Sequence, residues 1–285
     1  MISARSFEYT NEEWRLIKLF TGIIWLLEIC RVLLLNNYTT APYPEGIFRL
    51  ADLSFIGISP VKYILVVIAV AGVIMYVAEK RMLAALLLLS LISLAVFTLE
   101  RSNSVKSRSE LLSLILLVQL AAYAKERFFT KATTAHNTAM FYSIQMIAAA
   151  YVMSAISKLL TSGFDWIWQS QNFVVQITKI SEQILIELQL DISSHTQWIT
   201  GLLLAHPHVT HLFFAAALTV ELFAFVACFS KTAAKRYGWA LLALHLGMLL
   251  LIGIVIPVFV LLVLVYLLNI SKPLLSGYSF LKSKF

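Results

Sequence analysis

Apolar residues fall in long unbroken runs along this chain, and the polar residues between them are few and clustered. Runs of about 18 or more apolar residues predict membrane-spanning helices, because only helices and closed barrels satisfy their backbone in hydrocarbon. The runs lack the two-residue alternation of a barrel strand, so the pattern predicts an all-α polytopic transmembrane bundle. Six segments read as Trp14–Leu35, Val61–Ala78, Met82–Leu99, Glu110–Ala124, Ala139–Leu160 and Val209–Phe229. A last run, Tyr237–Leu268, would be about 48 Å long as one straight helix, against a hydrocarbon core of about 30 Å. Gly253 and Pro257 offer the break that divides it in two. The segment Glu110–Ala124 is short, so the expectation is seven to eight spans in a single domain covering residues 1–285.

Two connections are more than turns. Leu35–Ser59 contains Asn36, Asn37, Pro42, Pro44 and Gly46 and is expected to be irregular, outside the lipid. The longest is Thr161–His208. Its middle, Phe173–Leu190, repeats Val174, Ile177, Ile180, Ile184 and Leu188 at helical spacing, with Lys179, Glu182 and Glu187 between them. That spacing predicts an amphipathic helix lying at the membrane surface or capping the bundle.

Composition supports the membrane reading. The 285 residues are 60% apolar and 13% charged, against about 45–50% and about 25% in soluble domains. The formal net charge of +7 points to membrane lipids as partners and not to nucleic acid, since basic residues in such chains set orientation and meet anionic headgroups. With a cytoplasmic N-terminus and eight crossings, fourteen Lys and Arg fall in inside segments and six in outside ones. This orientation puts the connection 161–208 on the outer face. The loop Arg101–Arg108 runs against the rule. Cys30 and Cys228 lie in predicted spans and read as small buried apolar residues rather than a disulfide framework. The N-terminal stretch carries Glu12 and Glu13 with no small-residue cleavage site after it, so it does not read as a cleaved signal. The compact chain, with no visible eukaryotic targeting signal, places the expectation in a bacterial cytoplasmic (inner) membrane.

Ionisable groups within spans are costly, so each needs a partner or a purpose. Glu28 and Arg31 lie three apart on one face, as an internal ion pair or as a charged wall for a polar headgroup. Glu221 has no basic neighbour in sequence; it is neutral, hydrogen-bonded, or paired with Arg31 or Lys158, and serves structure or acid–base chemistry. His245 is an interhelical hydrogen-bonder or a ligand. The stretch HPHVTH offers His206, His208 and His211, either as a transition-metal set or as interfacial and substrate contacts. Tyr151, Ser154 and Lys158 form one polar stripe down a helix, with Asp165, Trp166 and Trp168 just beyond. Lys158 is then either a snorkelling anchor beside an aromatic belt, or an inward-facing amine usable as a base.

The segment Tyr151–Trp166 resembles the signature of the vitamin K-dependent gamma-carboxylase-like (HTTM) membrane family. It has a tyrosine-bearing span, the small-residue stretch Ser154-Ala155-Ile156, then Lys158-Leu159, a spacer and Trp166. The later WALLALHLGMLLLIGI, with Trp239, His245 and Gly253 before Pro257, is similar to the family's histidine-bearing penultimate region. The chain departs from the family in its longer spacer Leu160–Asp165, in Ala155 where glycine is usual, and in lacking a large lumenal domain. The resemblance implies Lys158 as the general base, a reduced quinone or other lipophilic substrate at the outer face, and Tyr151, Glu221 and His245 orienting it or relaying protons. Glu28, Arg31, Ser154, Asp165 and Trp166 are then candidate substrate contacts. A partner protein would supply an exported peptide to be modified or matured. The alternative is a non-enzymatic membrane subunit of a larger complex, with a structural lipid or quinone in the same place.

Overall fold

The computed structural model describes residues 7–35, 49, 54–103, 110–130, 135–169, 172, 174–175, 177–179, 181–182, 193–252 and 257–282. Helix is the regular structure throughout those residues. In chain order the α-helices are α1 (Asn11–Cys30), α2 (Ser59–Val77), α3 (Met82–Ser102), α4 (Glu110–Lys125) and α5 (Ala135–Ser162). They continue with α6 (Ser193–Ala205), α7 (Pro207–Leu222), α8 (Lys231–Ile252), α9 (Pro257–Leu262) and α10 (Ser271–Lys282). Tighter or wider turns extend several of them, notably Arg31–Leu35 after α1, Gly163–Trp168 after α5, Ala224–Cys228 after α7 and Val263–Leu267 after α9.

Local chemistry sets the helix ends. Thr10 and Glu13 form a reciprocal cap on α1: the Glu13 amide donates to Thr10 Oγ1 at 3.1 Å, and the Thr10 amide donates to Glu13 Oε2 at 2.9 Å. Prolines in the first turns of α2 and α7 supply no amide where none has a partner anyway. Gly163, at φ +59°, lets the chain leave α5 through a left-handed turn.

Four helical stretches are long and apolar enough to cross a membrane: Ser59–Val77, Met82–Ser102, Ala135–Trp168 and Pro207–Cys228. Pro257–Leu267 and Ser271–Gly277 would make a fifth only as a pair bent by 65°. The expectation of seven to eight spans therefore exceeds what length and composition alone select among the described residues. The reasons are visible in the sequence. Glu13, Arg15, Lys18 and Glu28 interrupt α1, α4 has 16 residues, and α8 opens on Lys231, Lys235 and Arg236. The expected break in the last run, between Gly253 and Pro257, falls at 253–256, outside the described residues. Residues 36–48 of the connection expected to be irregular, residues 104–109, and Ile180, Ile184, Glu187 and Leu188 of the expected amphipathic helix also lie outside them. Of that helix, Ile177 is buried in a small cluster with Ile199, Leu203 and Phe214, while Lys179 and Glu182 are exposed. The sequence reading missed α6 and α10.

A buried polar network ties the main bundle together. Tyr76 of α2 donates to Gln119 Oε1 at 2.7 Å. Gln119 of α4 donates to Ser143 of α5 at 3.1 Å and to Tyr266 at 2.9 Å, and Tyr266 shares a 2.7 Å bond with Thr21 of α1. Nearby, Gly238 of α8 leaves room for the turn after α9, where an added methyl would stand 2.9 Å from Leu267 Cβ. One end of the bundle gathers the starts of α1, α5 and α8 with the ends of α2 and α4. There Lys18, fully buried, donates to Glu79 at 2.6 Å and to the Val77 carbonyl at 3.2 Å. Trp14 donates to Tyr123, the Tyr9 amide donates to Asn137, and Lys231 lies 3.8 Å from Glu13 and over the Tyr9 ring. Burial, and then the Glu13 carboxylate, push the Tyr9 hydroxyl well above the ordinary phenol range.

Candidate functional site

The site is built where α5, its 3-10 extension and α7 run antiparallel. The pairing is regular: Lys158 meets Glu221, Trp166 meets Phe214 with ring centroids 4.7 Å apart, and Trp168 meets His211 at 4.7 Å. As one chain ascends, the other descends. The buried face of α7 carries Thr210, Phe214, Ala217, Leu218 and Glu221, spaced by three or four residues as a helical stripe requires.

Lys158 Nζ donates to Glu221 Oε2 in a close ion pair, its side chain 25% exposed and that of Glu221 9%. The same amine stands 4.8 Å from the centre of the Trp166 ring, so the indole face covers it from the other side. The lysine is therefore turned into the helix packing, not splayed toward headgroups. Glu221 sits at the last turn of α7, just before the chain tightens into Ala224–Cys228, and Tyr237 of α8 donates to the adjacent Val220 carbonyl at 2.5 Å.

Two turns back along α5, Tyr151 Oη and His245 Nε2 share a 2.6 Å hydrogen bond. Both side chains are buried, and Phe259 of α9 packs edge-on to Tyr151 at 6.3 Å and against His245 at 6.4 Å. Tyr151 and Lys158 occupy one face of α5, about 10.5 Å apart along its axis at 1.5 Å per residue. Two couples, one ionic and one hydrogen-bonded, thus lie along a single stripe. Each contains a group that can exchange a proton with its partner.

The other sequence candidates fall elsewhere. Glu28 and Arg31 do pair, at 2.9 Å, but the third member is Glu100 of α3 at 2.8 Å from Arg31, and Glu221 is not involved. Ser154 is half-buried on the stripe without joining its hydrogen bonds, and Asp165 is exposed on the 3-10 turn. The metal reading of His206, His208 and His211 is corrected: among the described residues no three His, Cys, Asp or Glu side chains converge to hold an ion. His206 is the residue capping α7, and His211 packs on Trp168 with its ring 6.1 Å from that of His208. Thr210 Oγ1 and His211 Nδ1 are buried with no hydrogen-bond partner among the described residues, which leaves polar capacity beside Trp168.

Glu100 and Phe259 were missed by sequence reasoning. Glu100 was legible as an acid closing the apolar run FTLE, the same signal that singled out Glu28. Phe259 carried no signal, because an aromatic in an apolar run looks like any other core residue. Fold and site together define a helical protein with several membrane-spanning candidates and two hydrogen-bonded couples of titratable side chains set among them. Comparisons with protein-family models, curated proteins and solved structures give no match to this chain.

Proposed function

We propose that this is an integral-membrane enzyme of the carboxylase-like (HTTM) type. In this reading the Lys158–Glu221 couple takes a proton from a lipophilic hydroxyl substrate, of which a reduced quinone is the leading class. The observation that carries it is the pairing itself: an amine turned inward, covered by an indole, and in direct contact with a carboxylate. As an ammonium, Lys158 is only a donor. To act as a base it first passes its proton to Glu221. The substrate O–H bond then breaks as the N–H bond re-forms, leaving the substrate as its anion and Glu221 as the acid. Tyr151 and His245 form a second couple on the same stripe, placed to orient the substrate or carry a proton onward. Trp166, Thr210 and His211, on the same seam between α5 and α7, are candidate contacts for it.

The bundle crosses the membrane eight times in this reading, through α1, α2, α3, α4, α5, α7, α8 and α9 with their extensions. The N-terminus is cytoplasmic and the membrane a bacterial inner one. Exposed basic residues at the turn Lys80-Arg81, at Lys125 and Arg127, and at Lys235 and Arg236 gather at the end where α1 begins, which supports that orientation. A partner protein delivers an exported peptide to the outer face, where Lys158 opens.

One observation favours a second reading. Lys158, Glu221, Tyr151 and His245 all have partners within the chain. Such mutual satisfaction is what a purely structural cross-link requires, and it fits a non-enzymatic subunit of a larger complex. Purification in mild detergent, followed by mass spectrometry of co-purifying molecules, tests the enzymatic reading. A quinone or other redox-active lipid should be retained by the native protein. It should also be retained by Lys158→Ala, which loses the base but not the surrounding surface. Retention of partner chains alone, with no such small molecule and no quinol-induced rise in Tm, would favour the structural subunit.

A further inference from the structure

The opposite end of the molecule presents a surface that the proposed chemistry does not use. After α9 the chain turns by 65° into α10. The turn is built, not loose. Asn269 takes a left-handed conformation at φ +51°, which asparagine tolerates better than most residues. Its amide donates to Glu13 Oε1 at 3.2 Å, and its carbonyl oxygen accepts from the Ser271 hydroxyl in the first turn of α10. All three side chains are buried. The direction in which α10 leaves the bundle is therefore fixed against the start of α1.

Sequence SKPLLSGYSFLK gives α10 the sharpest segregation of apolar from polar positions of the helices among the described residues. Of its described apolar side chains, Leu274 is 51% exposed and Leu275 half-buried. Lys272 is exposed beside it and repels Lys231 across the gap to α8. Lys235 and Arg236 on α8, and the turn Lys80-Arg81, are exposed at the same end. Leu274 thus stands half uncovered on a helix held roughly crosswise to the spans, and the exposed cations Lys80, Arg81, Lys235, Arg236 and Lys272 outnumber the exposed acids Glu8, Glu12 and Glu79 at this end, so a hydrophobic cover and the balance of counter-charge are both left to be supplied. The interfacial region of an anionic leaflet supplies both at once.

We propose that α10 is an in-plane membrane helix which, with this basic rim, forms a docking surface for anionic lipid headgroups. The inference is independent of the reaction assigned to Lys158 and of which compartment this end faces.

A spin label at Leu274→Cys, in full-length protein with Cys30 and Cys228 replaced by serine, tests it after reconstitution. Vesicles of phosphatidylcholine alone are compared with vesicles of phosphatidylcholine and phosphatidylglycerol. The label should move toward the lipid interface in the anionic vesicles, gaining access to oxygen and losing access to a water-soluble relaxant. Native mass spectrometry should show bound phosphatidylglycerol, with retention falling roughly fivefold for each charge removed in Lys235→Gln, Arg236→Gln and Lys272→Gln. Equal label accessibility in the two vesicle types overturns the proposal, whether the label is wet in both or shielded by protein in both. That comparison uses the unneutralised rim, so it stands even if the glutamine variants fold poorly.

Discussion

Lys158 is engaged on two sides, by a carboxylate and by an indole face, and that geometry fixes what its loss should do. Glu221→Leu removes only the counter-charge and leaves an ammonium three-quarters covered. Because the amine keeps some access to solvent, the cost should be about 1–3 kcal/mol, below the roughly 3–5 kcal/mol of a fully buried broken pair. Lys158→Met combined with Glu221→Leu should recover most of that loss, since an apolar pair of similar volume needs no compensation. Thermal unfolding of the two variants in one detergent checks this. A double variant as unstable as the single one would show that the ion pair is not what the site's stability rests on. The sequence carried the stripe Tyr151–Lys158, because helical spacing places those residues on one face. It left open which cation Glu221 would meet, since Arg31 and Lys158 were equal candidates. Arg31 is taken up by two nearer carboxylates, and Glu100, the second of them, had not been counted.

At the scale of elements, five helical stretches meet through one amide. Gln119 connects Tyr76, Ser143 and Tyr266, and Tyr266 passes the connection on to Thr21. Gln119→Leu would remove the amide partner of three buried hydroxyls from different elements, leaving Ser143 its bond to the Ala139 carbonyl and Tyr266 its bond to Thr21. The expected destabilisation is about 1–3 kcal/mol, read as a lower Tm with no change in the Lys158–Glu221 contact. Tyr266→Phe, which leaves Gln119 its bonds to Tyr76 and Ser143, should cost less than Gln119→Leu. The opposite order would mean that the tyrosine, not the amide, is the hub. The apolar runs predicted most of these helices closely, since a span's length and greasiness are local properties. The network was not legible, because a lone Gln, Tyr or Ser in an apolar run gives no sign of which neighbour it faces. The amphipathic α10 was also missed: its twelve residues are too few and too mixed to register as a span.

Across the whole molecule, two kinds of polar grouping sit at different places. One end carries the Lys18–Glu79 and Lys231–Glu13 pairs, the α10 turn and most of the exposed positive charge. The Lys158–Glu221 couple lies toward the other end of α5, beneath the Trp166 and Trp168 turn. This separation makes the two proposals, lipid docking at one end and proton transfer at the other, separately testable. The fold class was legible from composition, but the number of crossings was not, because charges that pair inside the bundle also break the apolar runs that mark spans. The proton-handling role proposed for Lys158–Glu221 is tested most directly by quinol-dependent oxygen uptake in reconstituted vesicles, dioxygen being the oxidant that takes the electrons of the deprotonated quinol, with wild type and the Lys158→Met, Glu221→Leu variant matched for Tm. The predicted result is turnover by wild type and a loss of roughly 10²- to 10⁴-fold in the variant, the usual worth of a general base. Equal rates from the two proteins, or a wild-type rate no higher than that of protein-free vesicles, would contradict it.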